Sequence, residues 1–242
     1  IRDYVFNKAL HPGVVPVQME ELHMEYALAR EIMRLALASA RQDWPAGRDG
    51  RAGPRLPAME PILASGGVLS RAPRPGYAAM AILDGLQPTG VATLILDPHN
   101  LTPALGVAAG VVPLATVQAL ASGSYVSLGT VVAPVGSGRP GRPMLRLRLD
   151  REGGEATEGQ LRYGQLSVLP LRQGEFAKLT LRPERGFDVG FGGPGRAGAV
   201  RVSGGAVGVI LDGRGRPLEL TKDVGRWRDL VQKWLWDIGA LE

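Results

Sequence analysis

The sequence predicts an α/β part, then a β-rich part and a closing helix. In the first half of the chain, short apolar runs alternate with stretches of helical periodicity, which is typical of a parallel or mixed sheet covered by helices. After about residue 122, apolar residues recur at every second position, which is typical of half-buried antiparallel strands. We therefore expect three units, at residues 1–124, 125–220 and 221–242.

In the α/β part, residues 18–42 are predicted to form one long helix, because apolar residues recur there at helical spacing and acidic residues precede the arginines. Residues 44–57 are rich in Gly, Pro and Arg, which indicates a loop. Two short apolar runs, at 61–64 and 91–96, predict buried strands, and residues 76–86 between them have helical periodicity.

The longest apolar stretch of the chain covers residues 101–120. It contains two prolines and two glycines, and it does not reach the roughly 18 uninterrupted apolar residues that a membrane span needs. We therefore expect buried helix over residues 103–120, with a break near residues 110–113.

The β-rich part is predicted from the alternation of apolar and charged side chains. Leu145, Leu147 and Leu149 alternate with charged neighbours, and a slip of one residue would bury those charges. We therefore expect the leucines to point inward in a small antiparallel β-barrel or sandwich. Further inward positions are Leu179, Leu181, Val200 and Val202, and further strands are expected at residues 126–132, 160–169 and 206–212.

The closing helix is predicted over residues 224–238, where tryptophans and aliphatic residues fall on one broad stripe. Asp223 before the helix and Gly239 after it are expected to cap its ends. We expect this amphipathic helix to pack on the β-rich part, and a docking surface is the alternative.

Composition argues against several classes of partner. The 242 residues include 28 Lys and Arg against 23 Asp and Glu, but the cations are scattered singly, so we expect no nucleic-acid partner. Cysteine is absent and the three histidines show no ligand spacing, so we expect no metal site. Neither a signal peptide nor a membrane span is recognisable, and we expect a cytoplasmic protein with no membrane partner.

The best candidate for a binding motif lies in residues 62–69. An apolar strand enters a Ser65-Gly66-Gly67 turn that continues into Val68, and glycines let a ligand approach the backbone because no Cβ intervenes. A pair of glycines is also what a tight turn needs, and this alternative stays open. We expect Ser65, Gly66 and Gly67 to lie in a turn at the C-terminal end of the strand and to line a surface cleft rather than the core.

Two other segments are weaker candidates. Residues 97–100 follow a strand, where open α/β sheets often bind ligands, but a proline turn that caps the next helix is the favoured interpretation. Residues 190–195, followed by Arg196, are compatible with an anion-binding nest, but a hairpin turn is the favoured interpretation.

Several stretches of the chain resemble the glutamate mutase accessory (MutL/GlmL) family. The match is not limited to the Ser-Gly-Gly turn, because it recurs along most of the chain in the right order. The resembling stretches are residues 64–76, 82–88, 207–218 and 234–240.

That family is similar to the superfamily of actin, chaperone and sugar-kinase ATPases, in which a strand followed by paired glycines contacts adenosine. The resemblance implies that residues 1–124 are a partial actin-like ATPase lobe, the second lobe of such a protein. It also implies that Ser65, Gly66, Gly67 and Val68 contact ATP or ADP in the full-length protein.

The function implied by the resemblance is an accessory or reactivating role for a B12-dependent glutamate (methylaspartate) mutase, through binding of that mutase. The chain shows no Asp-Gly-Thr-type phosphate loop, which such ATPases carry in their first half, so we expect it to be the C-terminal part of a larger protein. We expect this part to require no cofactor and to hydrolyse no ATP by itself, and no catalytic residue is assigned to it. The full-length protein is compatible with an ATPase.

Two alternative functions stay open at this point. One is a sugar or acid kinase of the same superfamily, which would need its phosphate loop in another part of the full-length protein. The other is a structural β module without a nucleotide site.

Overall fold

The computed structural model describes residues 1–40, 59–219 and 223–241, so the predicted loop at 44–57 lies outside the described residues. The helices are α1 (Arg2–Leu10), α2 (Met19–Ala40), α3 (Gly67–Ser70), α4 (Pro75–Gly85), α5 (Thr102–Ala109), α6 (Pro113–Ala121) and α7 (Val224–Asp237). The strands are β1 (Ile62–Ser65), β2 (Gly90–Asp97), β3 (Val126–Ala133), β4 (Pro143–Arg151), β5 (Thr157–Arg162), β6 (Leu166–Leu169), β7 (Phe176–Pro183), β8 (Gly198–Ser203) and β9 (Gly208–Asp212). The other predicted helices and strands are confirmed, but the single strand predicted at 160–169 is wrong, because β5 and β6 are separate strands in different sheets. Helix α1 and the single turn α3 were not predicted.

The fold has three layers around a mixed central sheet with strand order β1-β2-β3-β9-β6. In this sheet β1 and β2 are parallel, β2 and β3 antiparallel, β3 and β9 parallel, and β9 and β6 antiparallel. Helices α4 and α7 cover one face, and a second, antiparallel sheet with order β5-β4-β7-β8 covers the other. Because both faces are covered, every residue of β9 is buried.

Successive side chains of β9 enter two different hydrophobic cores. Ile210 lies in the core between the central sheet and the helices, which also contains most of α4. Val209 and Leu211 lie in the core between the two sheets. This division follows from the alternation of side chains along a strand.

Of the two forms predicted for the β-rich part, a barrel or a sandwich, the barrel is wrong. The described strands form two separate sheets, and neither of them closes on itself. The reason is that β3, β6 and β9 complete the central sheet with β1 and β2, and the four strands that remain are too few to close. The central sheet thus combines strands from both sides of residue 124, and the two sheets pack as a sandwich-like pair.

The inward orientation of the alternating leucines is confirmed. Leu145, Leu147 and Leu149 are each at most 4% exposed, whereas Arg146 and Arg148 between them are exposed. On the neighbouring strands, the predicted positions Leu179, Leu181 and Val202 are buried and Val200 is half-buried.

Helices α5 and α6 form an exposed hairpin, so the predicted burial of residues 103–120 is wrong, although the predicted break between two helices is confirmed. No residue of α5 is buried, and in α6 only Thr116 is. Val107 is 78% exposed and Val111 is 82% exposed. The apolar composition predicted burial, but the two helices pack mainly against each other rather than on a face of the central sheet.

The stripe of α7 packs on α4 and on β6. The expected packing on the β-rich part is therefore confirmed only at β6, because the second sheet lies on the far face of the central sheet. Both predicted caps are confirmed. The Asp223 carboxylate accepts a hydrogen bond from the backbone N–H of Arg226 at 3.1 Å, and Gly239 has a φ of +72° just after the helix.

A buried ion cluster joins β9 to α4 and α7. Arg214 donates two hydrogen bonds to Asp212, from Nε to Oδ1 at 2.9 Å and from Nη2 to Oδ2 at 2.8 Å. Its Nη1 donates to Oδ1 of Asp84, on α4, at 2.8 Å. The same guanidinium lies 5.0 Å from the ring centre of Trp234, on α7. One side chain therefore contacts the central sheet and two helices.

Arg216 completes the neutralisation of this cluster. Its Nη2 donates to Oδ2 of Asp212 at 2.6 Å, and its Nε donates to the carbonyl of Pro88 at 3.0 Å. Burial alone would raise the pKa of Asp212, but the charges of Arg214 and Arg216 outweigh that effect and lower it. Two buried arginines thus balance Asp212, which is fully buried, and Asp84, which is 8% exposed.

Asp212→Asn is expected to lower the free energy of unfolding by about 3–5 kcal/mol at pH 7, because it removes one charge from a buried set of paired charges. The folded pKa of Asp212 lies below the ordinary value of about 3.9, so its stabilisation is complete above that pH and is lost as pH falls toward the folded pKa. Urea unfolding of both proteins at pH 7 and at about pH 3 measures the difference, which should shrink at the lower pH.

Glu158→Gln is the matched control, because Glu158 forms an exposed ion pair with Arg148 and should contribute little. Equal losses of stability in the two variants, or a loss in Asp212→Asn that does not depend on pH, would contradict this account of the cluster.

Candidate functional site

The turn formed by Ser65, Gly66, Gly67 and Val68, hereafter the 65–68 turn, lies at the C-terminal end of β1, as predicted. Strand β1 ends at Ser65, Gly66 precedes α3, and α3 begins at Gly67. Ser65, Gly66 and Gly67 are exposed and Val68 is half-buried, while the next residue, Leu69, anchors the turn in the core. The turn therefore presents backbone to the surface from a fixed position.

The two glycines of the turn have different roles, one in the backbone conformation and the other in the space beside the backbone. Gly66 has a φ of +106°, a conformation that residues with a Cβ rarely adopt. Gly67 lies in the first turn of α3, and a Cβ built there would meet no heavy atom within 4 Å. The fold therefore requires glycine at Gly66, whereas glycine at Gly67 leaves open space in front of the backbone.

Gly67 and Val68 line a surface cleft of about 440 Å³, hereafter the turn cleft. The prediction that the turn lines a cleft is thus confirmed for these two residues, whereas Ser65 and Gly66 are exposed beside it. The remaining lining residues come from α1, from the α1–α2 connection, from α2 and from the segment after α3: Lys8, residues 12–19, Leu22, Glu25, Tyr26, Arg71 and Pro73.

The far wall of the turn cleft is held by Glu25, a buried carboxylate of α2. The Tyr4 hydroxyl donates to its Oε1 at 2.8 Å, and the Lys8 Nζ lies 2.5 Å from the same oxygen. Lys8 also donates to the carbonyl of Val14 at 2.5 Å. Burial, together with the hydrogen bond to Glu25, raises the pKa of Tyr4 to about 12, so the hydroxyl stays protonated as a donor. These contacts hold α1 and the α1–α2 connection against α2.

Asp97 lies beside the 65–68 turn, because it ends β2 and pairs in register with Ser65. Its carboxylate accepts hydrogen bonds from the backbone N–H groups of Leu101 and Thr102 at 2.9 and 2.7 Å, and from the Thr102 hydroxyl at 2.6 Å. Burial opposes ionisation, but these hydrogen bonds outweigh it and lower the pKa of Asp97. The interpretation of residues 97–100 as a turn that caps the next helix is therefore confirmed.

The other weak candidate, residues 190–195, lies in the connection between the antiparallel strands β7 and β8, as the hairpin interpretation predicts. Within the described ranges, no group of three or more His, Cys, Asp or Glu side chains could hold a metal ion. None of the helices in the described part of the chain is long and apolar enough to cross a membrane.

A family model described as MutL protein matches residues 1–123. The match covers half of the chain and includes the 65–68 turn, the turn cleft and Asp97, and it ends just before β3. No curated protein and no solved structure matches the chain.

Gly66→Ala is expected to lower the free energy of unfolding by about 1–3 kcal/mol, because the alanine Cβ is strained at a φ of +106°. Gly67→Ala is expected to be neutral or to stabilise the protein by up to about 1 kcal/mol, because the space is open and alanine favours helix. Urea unfolding of both variants checks this, and equal destabilisation by the two changes would show that the turn has a different backbone.

Proposed function

Because the chain belongs to the MutL protein family, the glutamate mutase accessory family, we propose that it is part of an accessory protein that reactivates a B12-dependent glutamate (methylaspartate) mutase. In this proposal it acts by binding the mutase and by holding ATP or ADP at the 65–68 turn. The observation that carries the proposal is the family match over residues 1–123, which spans both the turn and the cleft beside it.

The shape of the turn supports nucleotide binding. Gly67 has open space where other residues carry a side chain, so a flat base or a ribose can reach the backbone. The turn cleft, at about 440 Å³, has the size of a small-molecule site, for which about 300–1,000 Å³ is usual. Arg71 lines the cleft and offers a cation to a phosphate, whereas Lys8 is already paired with Glu25.

In this proposal the chemistry of hydrolysis depends on another part of the full-length protein. ATPases of the actin type position Mg²⁺ and the γ-phosphate with a phosphate loop, and residues 1–242 carry no Asp-Gly-Thr-type loop. The second actin-like lobe would then include the α/β part, and the second sheet, β5-β4-β7-β8, would belong to an accessory module.

Gly67→Val in the full-length protein is expected to weaken ATP binding by about tenfold or more, because the valine methyl groups occupy the space that the nucleotide needs. Gly67→Ala should weaken it less. Isothermal titration calorimetry with ATP measures the affinity, and circular dichroism checks that each variant is folded.

Gly106→Val is the matched control, since Gly106 also lies in a helix with no heavy atom within 4 Å of a built Cβ, but away from the turn cleft. Its affinity for ATP should equal that of the unchanged protein. An unchanged ATP affinity in a folded Gly67→Val protein would remove the nucleotide site from the proposal.

The chain of residues 1–242 by itself is expected to show no Mg²⁺-dependent ATP hydrolysis above background, because it carries no recognisable phosphate loop. A coupled phosphate-release assay measures this. Turnover that a substitution within the chain abolishes would contradict the assignment of hydrolysis to another part of the protein.

A further inference from the structure

A second cleft, of about 500 Å³, lies between α2 and α7, with α4 as its floor; we call it the helix cleft. Tyr77, Met80 and Ala81 of α4 are buried and line the floor. Tyr26 of α2 and Trp227 of α7 line the sides. Met19 and Tyr26 also line the turn cleft, but none of the residues of the 65–68 turn lines the helix cleft. The helix cleft therefore adjoins the turn cleft, and its interior is largely apolar.

One polar group of the cleft floor lacks a partner, and it is enclosed by protein atoms. Tyr77 is 3% exposed, and in the described part of the chain its hydroxyl is the single buried side-chain polar atom without a hydrogen bond. A buried polar group left unpaired costs about 1–3 kcal/mol, so such groups usually have a partner. Burial raises the pKa of Tyr77, although Arg74 opposes this, so the hydroxyl is protonated and can donate.

The charged groups that line the helix cleft are mainly cationic. They comprise Arg30, Arg228 and, when protonated, the exposed His23. The carboxylate among them is Asp84, which is already bound by Arg214 at 2.8 Å and lies 3.6 Å from Arg30. Arg228 makes no ion pair or side-chain hydrogen bond with any other described residue. An anionic group at the cleft would therefore meet an unpaired cation.

We propose that the helix cleft binds a small amphipathic carboxylate. Its aliphatic or aromatic body packs on Met80, Tyr77 and Trp227, and its carboxylate lies toward Arg228. An apolar lining with a few polar groups is the usual form of a site for such a ligand. This inference does not depend on the proposed function, because it uses neither the nucleotide nor the mutase.

Octanoate is a suitable probe, and 1-octanol, which has the same chain without the charge, is its matched comparison. Calorimetric titration of the chain is expected to show octanoate binding with 1-octanol weaker by about threefold to tenfold. Arg228→Gln should weaken octanoate binding by a similar factor, whereas Arg226→Gln, on the same helix but outside the cleft, should not.

Ala27→Trp tests the location of the site. Ala27 is exposed and lines the cleft, so an indole there fills the space without disturbing the core. Octanoate binding should be lost in Ala27→Trp and kept in Ala38→Trp, which places the same side chain on an exposed part of α2 outside the cleft. Absence of octanoate binding, equal binding of 1-octanol, or full affinity in a folded Ala27→Trp protein would each overturn the proposal.

Discussion

Arg214 lies between two carboxylates, Asp212 of β9 and Asp84 of α4, and against the ring of Trp234 of α7. Charges buried this deeply are costly unless each is paired, and here the geometry leaves little freedom in how β9, α4 and α7 can be arranged. Such a cluster adds little net stability compared with an apolar core of the same volume. Its physical effect is to raise the free energy of any other arrangement of β9, α4 and α7, because such an arrangement would leave buried charges unpaired. The cluster thereby fixes the positions of these elements relative to each other.

Both clefts depend on that arrangement. Helix α4 supplies the floor of the helix cleft, and the α3 turn that precedes α4 supplies Gly67 and Val68 to the turn cleft. The stretches that resemble the accessory family also meet at the cluster, because Asp84 lies in residues 82–88, Arg214 in residues 207–218 and Trp234 in residues 234–240.

The sequence predicted those parts of the fold in which side-chain periodicity is tied to burial. Leu145, Leu147 and Leu149 had to point inward because their neighbours are charged, and they do. Periodicity does not tell which strands share a sheet. It therefore did not predict that β3, β6 and β9 lie in the central sheet, and it could not decide between a barrel and a sandwich. The apolar composition wrongly predicted burial at Val107 and Val111, because apolar residues on a short hairpin are buried only if another element lies over them.

The position of the 65–68 turn followed from a local signal, since an apolar run before a glycine pair specifies a strand end. The walls of the turn cleft did not, because they come from residues about 50 positions away that are held by Glu25, Tyr4 and Lys8.

The most direct test of the proposed accessory role is the recovery of an inactivated B12-dependent glutamate mutase that is incubated with the full-length protein and ATP. The account predicts recovery of turnover that requires both the protein and ATP, and equal recovery with and without the protein would contradict it.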